Sequence, residues 1–417
     1  MPPHFTALPG LAPLPSAVMA PSGDPGPLEG LLVADFSRVL AGPYSTQLMG
    51  DLGATIVKVE GPVGDETREW APPARDGVST YYLGVNRNKR SVTFNLADAR
   101  DRALAQELAR RADIVIENFK PGGLDKFGLD YASVAKSNPA VIYASISGFG
   151  TAGGAGLPGY DLIVQAMSGL MSLTGDADGT PFRSGVSVFD IMTGMQATVG
   201  ILAALNHRNT TGQGQKVEVN LLSTALSAMA NHTSTYVAGD TVPFRMGNAH
   251  PSLFPYEPLP ASDGDIVIVA ANDSQFTKLA TSLGHPEWAN DDRFARTMSR
   301  NTNREALRPL LVEALAGRTT SEWFDQLTRD GVACGPINTI DGGVALAERL
   351  GLRPVVQVGD GEAAIPMVRN PIDFSLTPAR YLSAPPRLGQ DAEEIRAWLA
   401  IPASTPHSTH HEGELDR

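Results

Sequence analysis

The sequence predicts an α/β protein with a mostly parallel sheet covered by helices on both faces. Three observations lead there. Short apolar runs of strand length alternate with stretches of helical period. The first two strand runs are joined by a helix pattern, which makes a βαβ unit. The chain has 417 residues, more than one ordinary domain holds, so two domains are expected.

The elements follow in order. GLLVADFS (30–37) reads as a buried strand and ATIVKVE (54–60) as a second. Between them PYSTQLMGDLG reads as a helix closed by Gly53. RSVTFNL (90–96) is a third strand. The helix pattern DARDRALAQELARRA follows, with Leu104 and Leu108 four residues apart and an aspartate at its start. DIVIENF and AVIYASIS supply two further strands. IMTGMQATVGILAALNHR (191–208) is apolar nearly all round and is expected to be a buried helix. A turn TTGQGQ, a strand KVEVNLL and a helix STALSAMANHTS come next. Near Thr241 the texture changes. PFRMGNAHPSLFPYEPLPASDGD is rich in Pro and Gly and reads as a crossing into a second domain. Beyond it lie a strand, DIVIVAA (265–271), and helices SQFTKLATSLG, NREALRPLLVEALAGR and TSEWFDQLTRDG. The last opens with a capping box from Thr319 to Glu322. After about Gly342 the chain turns Pro- and Arg-rich. Residues 1–27 and 401–417 are expected to be a disordered leader and tail.

Composition narrows the function. The formal net charge of −12 argues against a nucleic acid or an anionic membrane surface as partner. One cysteine, Cys334, rules out a disulfide framework and a cysteine-based metal site; it reads as an inert thiol. The eight histidines have no ligand-like spacing. No apolar run appears long enough for a membrane span, so a soluble cytoplasmic protein is expected.

Gly148, Gly150 and Gly153 spell G-x-G-x-x-G after a strand run. A dinucleotide site needs the last glycine to open a helix. Here GAGLPG follows, and the helix pattern starts only near Tyr160. The stretch reads instead as a glycine loop beside an active site.

Asp190 immediately precedes the apolar helix pattern. An aspartate there is first of all an N-cap. The helix dipole would also hold its carboxylate ionised. An ionised carboxylate can attack a thioester and carry the acyl group as an anhydride. Periodicity does not choose between these roles.

The segments LEGLLVADFSRVLAGPYSTQLMGDLGATIVKVEGPVGDETR, NRNKRSVTFNL, ADIVIENFKPGGLDKFGLDY, YASISGFG and GYDLIVQAMSGLMSLTG resemble those of the family III CoA-transferases, the formyl-CoA and carnitine CoA-transferase group. SVFDIMTGMQATVGILAALNHRNTTGQGQKVEVNLL resembles the segment that holds that family's catalytic aspartate, and puts Asp190 in its place. The resemblance covers roughly residues 28–400. It implies a homodimer of interlocked chains. Each chain would have a large Rossmann-like domain (28–240 and 343–400) and a small α+β domain (241–342). It implies no permanent cofactor, no metal and coenzyme A as cosubstrate. The partners would be an acyl-CoA donor and a carboxylic acid acceptor.

By the same resemblance, coenzyme A would lie along Arg38, Leu40 and Ala41. Lys58, the strand end Phe94, Asn95, Leu96 and Ala97, then Asn118, Phe119, Lys120, Lys126 and Tyr160 would lie nearby. Its phosphates need convergent cations and backbone N–H groups. Where relatives carry an arginine for the nucleotide, this chain has Gly61 and Lys126. Gly247, Asn248 and His250 fall where relatives have a glycine loop over the aspartyl intermediate. Their GNAHPS setting resembles the branch that handles succinyl-type dicarboxylates. The related α-methylacyl-CoA racemases are the alternative. They carry a histidine where this chain has Tyr160, and a tyrosine is a poor proton acceptor at neutral pH.

Overall fold

The computed structural model describes residues 26–359, 361 and 364–401. The expected leader and tail lie almost wholly outside the described residues. The chain divides into two compact units. Among the described residues the larger comprises 26–168, 185–233 and those from 353 to 401; the smaller comprises 169–184 and 234–352.

The larger unit is built on strands β1 (Leu32–Asp35), β2 (Thr55–Glu60), β5 (Lys89–Thr93), β6 (Ile114–Glu117), β7 (Ile142–Ser147) and β8 (Gln215–Asn220). A two-residue hairpin, β3 (Ala74–Arg75) and β4 (Val78–Ser79), stands apart from them. The six strands are all parallel, in the order β5-β2-β1-β6-β7-β8. Counted within the sheet, that is 3-2-1-4-5-6, a doubly wound order that reverses between β1 and β6. Ligands bind beyond the carboxyl ends of the strands at such a reversal. β1 and β6 are buried along their whole length, which is why they read as unbroken apolar runs.

Helices α1 (Ala41–Asp51), α2 (Thr80–Gly84), α3 (Ala99–Arg111), α4 (Tyr131–Ser137), α5 (Asp161–Met167), α7 (Val188–Thr211) and α8 (Leu221–Ala228) belong to this unit; the short α6 (Leu170–Leu173) belongs to the smaller one. One core layer joins Ala34, Val57, Val92, Leu108 and Val115 to Ile395 and Trp398 of the helix Ala392–Ala400. The Arg111 guanidinium donates to the Trp398 and Leu399 carbonyls and so ties that last helix to α3.

α7 departs from expectation. Phe189, Thr193, Ala197, Ile201 and Leu205 are buried, but Met195, Val199 and Leu202 are exposed. The buried face lies on α1. A Cβ added at Gly194 would meet the Ala41 carbonyl oxygen at 2.5 Å, so the two backbones touch there. α7 is also long and apolar enough to cross a membrane, with a mean hydropathy of 1.5, which corrects the sequence expectation on span length. In the structure one face of it packs along α1 and the other stays exposed.

The smaller unit holds a three-stranded antiparallel sheet, Tyr256–Pro260, Asp265–Val269 and Ala333–Pro336, over a core that includes Phe254, Ile266, Leu279 and Trp323. The strand Tyr256–Pro260 falls inside the stretch read as a crossing. Its prolines hid it from sequence, yet an edge strand tolerates them. The capping box at Thr319 forms as read.

Candidate active site

The β1–α1 turn lies at the sheet's reversal point. Val39 has φ 68°, a left-handed conformation that strains a β-branched residue. Its neighbours hold it there. Asn118, just past β6, accepts from the Arg38 amide at 2.9 Å and donates to the Arg38 carbonyl at 2.7 Å. The Asp65 carboxylate faces the Val39 amide at 3.3 Å. Lys58 Nζ donates to Asp65 at 2.9 Å and to the Ser37 carbonyl at 3.2 Å. Burial alone would raise the Asp65 pKa, but Lys58 together with the Thr67 amide and hydroxyl outweighs it and holds it down at about 2. Beneath the turn, buried Asp35 accepts from the Ser37 amide, the Thr46 hydroxyl and Lys89 Nζ. Burial pushes Lys89 down to about 7. Lys58 is therefore a prop for the turn and is fully buried. The expected coenzyme contact at that lysine is not available.

α7 begins on the other side of the cavity. Asp190 is not its N-cap. The helix starts at Val188, Ser187 occupies the cap position without a side-chain cap bond, and Asp190 is the third helical residue. The cap is supplied from α5. Asp161 Oδ1 accepts from the amides of Phe189 at 2.8 Å and Asp190 at 3.0 Å. Burial, and then the Asp161 charge, push the partly buried Asp190 carboxyl up to about 7. The expectation that the dipole holds it firmly ionised is thus corrected. A helix N-terminus contributes about 1 kcal/mol, and here burial and a like charge exceed that. Tyr81 of α2 sits near the same carboxyl. Burial and the Asp190 charge push its phenol up to about 12, and its hydroxyl bonds to Ser187.

Asp190 opens into a cavity of about 390 Å³. Arg38, Leu40, Ala41, Asn118, Phe119, Lys120 and Tyr160 all line it, so the fold brings together these residues from three segments. α1 starts at Ala41 with no side-chain cap, which leaves backbone N–H donors at the cavity wall. Arg38 stands over the Phe119 ring at 5.5 Å. The glycine loop forms another wall through Gly148, Gly156 and Gly159. A Cβ at Gly148 would meet Gly159 Cα at 2.3 Å, so the loop closes where its two ends touch. No helix starts at Gly153; α5 starts at Asp161.

Other expected contacts lie elsewhere. Phe94 is buried in the core beneath the Arg396 guanidinium. Asn95, Leu96 and Ala97 form the turn into α3 and are absent from the cavity wall. Lys126 is exposed, with its ammonium over the Phe127 ring. Gly247, Asn248 and His250 belong to the smaller unit. There Gly247 has φ 63° and donates to the Gly175 carbonyl. His250 stacks at a tilt on Tyr256 and accepts from the Ser252 amide. Burial pushes the Cys334 thiol up, away from reactivity. Among the described residues no group of three or more His, Cys, Asp or Glu is placed to hold a metal. Sequence reading missed Asp161, Asp65 and Tyr81; the partners of Asp161 and Tyr81 are distant in sequence, and Asp65, though close to Lys58 and Thr67, reaches Val39 only through the fold.

The family model described as CoA-transferase family III matches residues 28–392. The chain belongs to that family. This CoA-transferase is 41% identical over 383 residues to the succinate–glutarate CoA-transferase of Agrobacterium fabrum, covering 89% of this chain and 96% of the relative. It is 37% identical to the acetyl-CoA:oxalate CoA-transferase of Acetobacter aceti, covering 92% and 98%. A crystal structure of a CAIB/BAIF family protein from Brucella suis matches with a TM-score of 0.81 and 42% identity, covering 90% of this transferase and 99% of that chain.

Proposed function

We propose that this CoA-transferase moves coenzyme A between dicarboxylic acids through covalent adducts on Asp190. The observation that carries the reading is Asp190 itself: a carboxyl with pKa about 7, on the wall of a cavity with Arg38 and Lys120. At neutral pH part of it is ionised, and that part keeps the nucleophilicity of a stronger base. The names of relatives that act on succinate, glutarate and oxalate support the dicarboxylate class.

An Asp190 oxygen attacks the donor thioester carbonyl, the C–S bond breaks, and a mixed anhydride and CoA thiolate form. The thiolate attacks the Asp190 carbonyl of the anhydride and releases the donor carboxylate, leaving an aspartyl-CoA thioester. The acceptor carboxylate attacks that carbonyl and expels the thiolate, giving a second anhydride. The thiolate then attacks the acceptor's acyl carbon, which forms the new acyl-CoA and frees Asp190. In this reading Arg38 and Lys120 hold the phosphates, and N–H groups at the start of α1 face the developing oxyanions.

The test is transfer from succinyl-CoA to free glutarate, with hydroxylamine added during turnover. Inactivation that needs acyl-CoA, with the modification on the Asp190 peptide, is the expected result. Modification on the Cys334 peptide would sink the aspartyl mechanism.

Tyr160 separates this reading from racemisation. It lines the cavity but is 59% exposed, and a phenol is a poor proton acceptor at neutral pH. In deuterated water the enzyme is expected to leave the α-proton of 2-methylacyl-CoA unexchanged. Rapid exchange, read by mass spectrometry, would restore the racemase reading.

The working form proposed is a cytoplasmic homodimer with interlocked chains. Met195, Val199 and Leu202 on α7, with Leu162 and Met167 on α5 and Leu226 on α8, are exposed apolar side chains that support a partner chain. Light scattering after gel filtration is expected to give twice the chain mass of 44.1 kDa. A monomer at micromolar concentration would count against it. A single cysteine fits a reducing compartment.

A further inference from the structure

Asp161 is the first residue of α5, yet its carboxylate serves another helix. Oδ1 accepts from the Phe189 and Asp190 amides at 2.8 and 3.0 Å. Oδ2 accepts from Gln165 Nε2 at 2.5 Å, and that same amide donates to the Val186 carbonyl at 3.2 Å. Gln165 is fully buried and Asp161 nearly so. One carboxylate and one amide thus clamp the chain on both sides of Ser187, where α7 has no cap of its own.

We propose that Asp161 is a positioning residue for Asp190, and that its negative charge drives the free Asp190 carboxylate toward its uncharged acyl adducts. This rests on the covalent reading above. The clamp fixes the backbone that carries the nucleophile. The charge opposes a second carboxylate beside it, but has no such quarrel with a neutral anhydride or thioester. Like charge therefore shifts the equilibrium between free enzyme and adduct in favour of the adduct by the same factor that it favours protonation.

The groups that face Asp190 are few. Asp161 approaches from α5 and Tyr81 from α2, while Arg38, Glu66, Lys120 and Tyr160 stand around the same cavity. Tyr81 keeps its proton across the neutral range. Asp161 is the one acid among them in direct contact with the backbone of Asp190.

Asp161→Asn keeps an oxygen to accept from the two amides and removes the charge, at the cost of the bond from Gln165, whose Nε2 then faces the asparagine Nδ2. Asp161→Ala removes both oxygen and charge. The Asp190 carboxyl is followed by 13C NMR on protein labelled at aspartate Cγ and assigned by difference against Asp190→Asn. In Asp161→Asn its titration is expected to fall by about one unit, a tenfold change in proton affinity. The acid limb of kcat/KM is expected to move down with it, and the fraction of enzyme trapped as adduct from a fixed dose of acyl-CoA to fall severalfold. In Asp161→Ala the melting temperature drops as well. An Asp190 titration that stays put in both variants overturns the proposal. So does a moved titration with an unchanged trapped fraction in an active enzyme. A moved titration in protein whose wild type transfers nothing from any acyl-CoA overturns the covalent reading and, with it, the adduct-driving role.

Discussion

Asp190→Asn is expected to abolish CoA transfer and to make the protein more stable at the same time. Loss of the nucleophile should cost at least ~10³-fold in kcat, the scale of removing a group used only in the reacting state. The stability gain follows from the sign of the shift. The folded pKa, about 7, lies above the ordinary 3.8. The folded protein therefore holds an extra proton between those values, and the stability tied to it is full below about 4 and lost as pH rises through 7. Above pH 7 the wild type bears a partly buried carboxylate beside Asp161; the asparagine variant does not. The gain is put at about 2 kcal/mol, roughly half what the full shift would give, because the cavity mouth admits water. Melting temperatures of both proteins from pH 4 to 8 check this. Equal values at pH 4 and a more stable variant at pH 8 are expected; a less stable variant at pH 8 would show that the charged Asp190 stabilises the start of α7 and overturn the sign of this shift.

Lys58→Met is the second large effect. It leaves Asp65 buried without its cation, and breaking one side of a buried pair costs about 3–5 kcal/mol. It also loosens the hold on Val39, whose strained turn carries Arg38, Leu40 and Ala41 into the cavity. Transfer activity should fall with stability, though Lys58 touches no ligand. Asp65 supplies a pH signature. Its folded pKa of about 2 lies below 3.8, so its contribution is present above the ordinary value and lost as pH falls toward 2. In Lys58→Met the Asp65 pKa rises, and acid unfolding is expected to begin at higher pH. Adding Asp65→Asn should recover part of the loss, because it removes the stranded charge. If Lys58→Met unfolds in acid at the wild-type midpoint, the pair does not hold the turn.

Much of the larger unit was legible in the chain because its elements are local. The central strands β1, β2, β6 and β7 carry short apolar runs, and their alternation with helix patterns is enough to predict a parallel sheet. Gly53 and the capping box at Thr319 are also signals between near neighbours. Asp190 could be singled out because its surroundings match a family pattern. The strand at Tyr256–Pro260 was hidden because proline disrupts the period-two pattern, although the fold has room for it at an edge.

What a residue does in the site is a different matter. Sequence by itself determined the α/β class, the order of the elements, the family and the candidate nucleophile. Only the tertiary structure decided that Lys58 supports a turn instead of meeting coenzyme A, and that Asp190 is capped instead of capping. It also decided that α7 keeps an apolar face exposed in the single chain. The reason is range. Asp161 and the amides it receives are 28 and 29 residues apart, and Arg38 and Asn118 are 80 apart. A charge changes role when folding takes it out of water and supplies a partner, and neither burial nor partner is written in the residues beside it.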